Sequence, residues 1–163
     1  MRIEPMDLEG VTEAMAWAES EGWQPGTSDA GPFFAADPDG FFRGRIGDET
    51  VATISAVHGS PDVAFVGLYI VAAGFRGRGF GRRLWDDVLG RYEGVTLGLD
   101  AVPEQVATYA SDGFVPAYGN ARYSVEAGLL PAPDGDSGVV PAGSVDFDAL
   151  VEFDARHFFG PRP

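Results

Sequence analysis

Apolar residues recur at helical spacing over Leu8, Val11, Met15 and Ala18, and polar or small residues fill the positions between them. That period predicts an amphipathic helix with these four on its core face. Asp7 stands where an N-cap is wanted, and Gly22 where the helix stops. Met1 to Met6 reads as a short strand. Residues 22–40, rich in Gly, Pro and Asp, predict a loop. The pattern then changes to short β runs: Phe41 to Ile46, Thr50 to His58 and Val63 to Val71, separated by Gly47-Asp48 and Gly59-Ser60-Pro61-Asp62. Leu84, Trp85, Val88 and Leu89 mark one side of another helix. Val95 to Asp100 predicts a strand and the stretch around Tyr109 a helix. Phe114 to Tyr118 and Arg122 to Glu126 predict a hairpin about Gly119-Asn120. This order predicts an α/β (α+β) fold, a mixed and mostly antiparallel sheet flanked by helices.

The 163 residues suit one domain with a little left over. Residues 128–138 have the composition of a linker. Beyond it, Val139-Val140-Pro141 and Asp146 to Val151 echo the opening strand and capped helix. The echo predicts domains at 1–127 and 139–163, the second being the start of a related unit, cut off at Pro163, or a C-terminal tail.

Charge narrows the partners. Twenty-five acids oppose eleven basic residues, all arginine, for a net charge of -14. Such a surface repels nucleic acid and anionic membranes. It suits a salt-adapted cytoplasm, although a GC-rich genome also removes lysine codons. There is no cysteine, so disulfides and thiolate metal sites are excluded, and His58 and His157 are too far apart in sequence to suggest a metal. No apolar run approaches the ~20 residues of a membrane span. The expectation is a cytoplasmic protein with no metal and no membrane partner.

Against this acidic background, four of the arginines and four glycines fall between Gly74 and Arg83. A predicted strand precedes them and a predicted helix follows. Glycines let backbone N–H groups turn toward one anion, and a helix N-terminus adds partial positive charge. A surface loop can have this composition too, but clustered arginine in an acidic chain favours an anion, here a pyrophosphate. A Walker loop is excluded because the chain has no lysine. The Rossmann spacing fails because the sixth position is Arg82 or Leu84.

What fits is Arg76-x-x-Gly79-x-Gly81, followed at the expected distance by Tyr109-x-x-x-Gly113-Phe114. Over roughly residues 1–127 the chain resembles the GNAT superfamily of acyl-CoA-dependent N-acyltransferases. Trp17, Glu21-Gly22-Trp23, Pro25-Gly26, Asp29 and Asp37 to Phe41 further resemble a GNAT subfamily with a second, C-terminal acetyltransferase-like domain.

The resemblance implies an acetyl-CoA-dependent N-acetyltransferase acting on a small amine. It places the pyrophosphate of coenzyme A on Arg76, Gly77, Arg78, Gly79, Phe80, Gly81 and Arg82, and the pantetheine along a splayed strand near Ile70 and Val71. A backbone N–H of Ile70 or Val71 would polarise the thioester carbonyl. Tyr109 would protonate the leaving sulfur, although alone it fits a half-buried helix tyrosine equally well. The base is open, because Val63 to Val71 holds no carboxylate. Asp29, Asp100, Glu21 and His58 are candidates, as are proton loss through water and binding of an amine already neutral. Val102 stands where family members often carry Asn, which removes a side-chain contact to the cofactor. Trp17, Glu21, Trp23, Phe33, Phe34 and Tyr69 would line the acceptor pocket, or pin a long loop to the core. The alternatives are an acyl-CoA-binding regulatory or partner-binding module without turnover, and an enzyme that acylates a protein amine. A homodimer or a tandem domain partner is compatible with either.

Overall fold

Asp7 opens the first helix by accepting the Gly10 N–H at 2.9 Å, and α1 runs from Leu8–Ser20. Its end is a Schellman turn. Gly22 adopts φ +80°, its N–H reaches the Glu19 carbonyl at 2.9 Å, and that of Trp23 reaches Ala18 at 3.0 Å. The computed structural model describes residues 1–121, 123–129 and 138–157.

Contacts gather these residues into two units, Met1–Asp100 with the chain from Phe153, and Ala101–Glu152. The first holds β1 (Arg2–Pro5), α1, α2 (Ala30–Ala36), β2 (Phe41–Ile46), β3 (Glu49–Ser60), β4 (Val63–Val71), α3 (Phe80–Leu89) and β5 (Thr96–Leu99). The second holds α4 (Val106–Ser111) and most of α5 (Phe147–Ala155). The sheet order is β1-β2-β3-β4-β5. All neighbours are antiparallel except β4 and β5, which are parallel.

One face of the sheet packs on α1 through Met6, Val11, Ala14, Met15 and Phe41, with Phe34 of α2 and Leu68 of β4 against them. The other face carries Leu84, Trp85 and Val88 of α3, all buried. Val11, Val51, Ile54, Leu84 and Val88 are fully enclosed, each worth about 1.5–3 kcal/mol of burial.

Three expectations need correction. Leu8 is 46% exposed, because it begins the helix one turn before the buried Val11. Residues 22–40 are not all loop, since Asp29 leads into α2 and Phe34 uses that turn to reach Phe41, ring centroids 6.2 Å apart. The late hairpin is absent: 114–121 and 123–126 carry no strand, and Arg122 lies outside the described residues, as do 130–137 of the expected linker. The echo near the C-terminus is half present. Asp146 accepts the Ala149 N–H at 3.0 Å, as Asp7 does for Gly10, but 138–141 form no strand.

Candidate active site

The site begins where β4 parts from β5. Their register runs from Val63↔Thr96 to Val66↔Leu99 and ends there. β4 continues to Val71, so one edge of Gly67–Val71 is unpaired by β5, about 16 Å of strand. A bulge sits at the parting. Thr53 opposes Ile70 and Ser55 opposes Gly67, so β4 has one residue more than β3 over that step. Leu68 adopts φ +47°, and its carbonyl accepts the Thr53 hydroxyl at 2.8 Å.

The bulge decides what faces where. Before it Phe65 shares a face with Val57, and after it Ile70 shares that same face with Thr53. Tyr69 is thereby turned to the α3 side, its ring 5.1 Å from that of Trp85. The Ala72 N–H donates to Val51 at 3.0 Å, toward β3. Successive peptide groups of a strand alternate in direction, so the Val71 and Tyr69 N–H groups face the open edge and that of Ile70 faces β3. The two candidate polarising donors, Ile70 and Val71, are thus not equivalent.

Next comes the glycine loop. Gly77 and Gly79 adopt φ +70° and +80°, and a Cβ on either would meet nothing within 4 Å. Gly79 is the N-cap of α3 and brings no capping side chain, so the first-turn N–H groups have none from it. Gly81 has a different reason to be glycine. A Cβ there would lie 2.8 Å from the Tyr69 hydroxyl and from Val71 Cγ2, so Gly81 lets α3 close onto β4. An unpaired strand edge beside an open, uncapped turn fits an elongated anion bearing a diphosphate.

The arginines divide. Arg76 donates through Nε to the Val71 carbonyl at 2.8 Å and forms an ion pair with Glu21. Arg82 pairs with Asp86 at 2.6 Å, one helical turn on. Arg78 lies over two rings, 5.2 Å from the centre of Phe75 and 5.1 Å from that of Phe80. Arg78 therefore presents a guanidinium held by aromatic faces at the loop, free of the carboxylates that occupy Arg76 and Arg82.

A groove of about 270 Å³ opens beside this loop, between Trp17, Ser20 and Glu21 at the end of α1 and Ile70, Ala72 and Arg76. Trp17 and Glu21 are four residues apart, and so project from one side of the helix. Other expected acceptor residues lie elsewhere. Tyr69 packs on Trp85, while Trp23 and Phe33, 37% and 50% exposed, do not line the groove. Asp29 accepts the Gly26 N–H at 2.8 Å and shapes the turn before α2. Asp100 is exposed just after β5. His58 sits opposite Ala64, at the far end of β4 from Val71, stacked on Tyr92 with ring centres 5.0 Å apart.

In the second unit, Tyr109-x-x-x-Gly113-Phe114 forms another Schellman turn. Gly113 at φ +95° donates to Ala110 and Phe114 to Tyr109, both at 3.1 Å. The two rings meet edge-on at 6.2 Å, the apolar contact such turns favour. Burial pushes the Tyr109 hydroxyl above the usual tyrosine range. Val102 is 45% exposed. Among the described residues no group of three His, Cys, Asp or Glu could hold a metal, and no helix is long and apolar enough to cross a membrane.

Comparison with known proteins agrees with this geometry. The chain is 35% identical over 159 residues to the Holothin acyltransferase of Pseudoalteromonas sp. (strain SANK 73390), covering 97% of this chain and 53% of that protein. It thus spans about half the length of that curated relative. The fold is shared with Ard1 from Thermoplasma volcanium, at TM-score 0.60 and 20% identity over 70% of this chain and 82% of that one. It is shared also with Rv2747 from Mycobacterium tuberculosis, solved in complex with CoA, at TM-score 0.55 and 14% identity over 76% and 77%. The Acetyltransferase (GNAT) family, whose members use acetyl-CoA, matches residues 8–112, and with the parted strands and glycine loop already placed, the chain belongs to that family.

Proposed function

We propose that this chain is an N-acetyltransferase that moves an acetyl group from acetyl-CoA to a small amine. The observation that carries the reading is the parting of β4 from β5 after Val66↔Leu99, which leaves the Val71 edge open beside the Gly77–Gly81 turn. Acetyl-CoA supplies the acyl group as a thioester. Backbone N–H groups of Gly77 to Arg82 hold the diphosphate, with the Arg78 guanidinium beside them. The Val71 N–H at the edge that β5 leaves binds a polar group along the strand and favours charge building on the carbonyl oxygen. Tyr109, whose hydroxyl burial shifts above the usual tyrosine range, serves as the general acid for the departing sulfur. Acyl transfer by the Holothin acyltransferase relative supports the reaction class. Because the chain spans half of that relative, a tandem partner domain is part of the proposal, and the capped helix after Asp146 supports it.

Calorimetry with acetyl-CoA tests the reading. Wild type binds and Gly79→Glu does not; equal affinities would remove it. The second reading, a binding module without turnover, is favoured by the lack of any carboxylate on Val63–Val71. Release of free CoA in the presence of an amine panel separates the two.

A further inference from the structure

The groove beside the loop has a wall of Trp17, Ile70 and Ala72, and its charged pair is Glu21 with Arg76. Left uncompensated, the carboxylates of Glu21 and Asp29 would draw in a cationic acceptor. Their contacts say otherwise. Arg76 compensates Glu21, and Asp29 is bound to the turn through Gly26. We infer that this groove takes an acceptor amine that is uncharged at neutral pH, carried on a flat apolar body, and that Glu21 is a positioning residue for Arg76. The inference rests on the acetyltransferase reading and names its substrate class.

The chemistry agrees. An uncompensated carboxylate beside an amine favours the ammonium form, which has no lone pair with which to attack. A compensated carboxylate does not. β4 offers no carboxylate to remove a proton either, and a weakly basic amine needs none before attack. In the transfer the acceptor nitrogen bonds to the acyl carbon as the carbon–sulfur bond breaks. The nitrogen gives up one proton, the departing thiolate takes one up, and nothing else changes. Trp17 supplies an aromatic face to a flat acceptor. Glu21 acts one step away: it holds Arg76, whose Nε is fixed to the Val71 carbonyl at 2.8 Å, and so sets the start of the phosphate loop.

Aniline and cyclohexylamine, rings of similar size that differ in basicity, provide the test at pH 7 on the full chain. Wild type is expected to give a kcat/KM at least about tenfold higher for aniline, with cyclohexylamine gaining as pH rises and it loses its proton. Glu21→Gln is expected to weaken acetyl-CoA binding by about threefold to fivefold, the size of a partly exposed ion pair, and to lower kcat/KM for both amines equally. Trp17→Ala should raise the KM for aniline and leave the acetyl-CoA Kd unchanged. Preference for cyclohexylamine at pH 7, a loss in Glu21→Gln confined to that amine, or wild type that binds acetyl-CoA yet acetylates neither ring overturns the inference while the acetyl-CoA site stands. Wild type that does not bind acetyl-CoA removes the underlying reading itself.

Discussion

Thr53 and Leu68 are joined across β3 and β4 by a 2.8 Å hydrogen bond in which the Thr53 hydroxyl donates to the Leu68 carbonyl. Thr53 is fully buried, and Leu68 stands in a left-handed conformation that a leucine seldom adopts. The bond satisfies a carbonyl that the bulge takes out of the regular ladder. Thr53→Val keeps the shape and removes the donor. The expected loss is about 1–3 kcal/mol of stability in urea denaturation, together with weaker acetyl-CoA binding, because the bulge orients the Val71 edge. An unchanged denaturation midpoint would show that the bulge holds without this bond.

Three glycines of the loop region make separable predictions. Gly81→Ala places a methyl group 2.8 Å from both Tyr69 and Val71, so α3 must shift, and a cost of about 1–3 kcal/mol is expected. Gly79→Ala strains a left-handed cap, at about 1–2 kcal/mol, without crowding any neighbour. Gly74→Ala meets neither obstacle and serves as the control. Thermal melts should rank Gly74→Ala above the other two, and acetyl-CoA affinity should follow that division. A melt of Gly81→Ala equal to that of Gly74→Ala would mean that α3 does not close on β4 as described.

Much of this was legible because local rules and global packing agree. The runs Phe41 to Ile46 and Val63 to Val71 are bounded by turn residues, and both strands form with those limits. The Tyr109-x-x-x-Gly113-Phe114 motif is legible for a reason beyond family likeness. Ala18-x-x-x-Gly22-Trp23 ends α1 with the same pair of hydrogen bonds, so the spacing encodes a helix stop in both places. What stayed hidden depends on partners distant in sequence. Nothing near Arg76 announces Glu21, and nothing near Tyr69 announces the bulge that turns it toward Trp85. The carboxylate of Glu21 looks free in the sequence because its partner, a guanidinium 55 positions away, cannot be read from it.

Tyr92 gives the fold a marker in alkali. Its ring is buried against His58, and its hydroxyl donates to the Ala56 carbonyl. Burial first, then the charge of Asp37, pushes its pKa up to about 12 from the usual 10. Below pH 10 the phenol keeps its proton folded or unfolded. Between 10 and 12 the unfolded chain releases it first, so stability falls by about 1.4 kcal/mol per pH unit from this group. Tyr92→Phe should cost about 1 kcal/mol at neutral pH and abolish that extra alkaline loss. Parallel pH profiles for the two proteins would show that the phenol does not titrate as its burial requires.

Tyr109 is the sharper test of chemistry because packing and catalysis predict different losses. Its ring contact with Phe114 survives in Tyr109→Phe, so the packing that closes α4 is kept. As a general acid its hydroxyl is worth about 10²–10⁴-fold in kcat, while acetyl-CoA affinity should hold. Since burial raises its pKa, the neutral acid persists past the usual tyrosine range. The wild-type rate should therefore show no alkaline decline from Tyr109 until the pH passes that range. A kcat within about twofold of wild type would confine Tyr109 to its role as the residue that closes the end of α4.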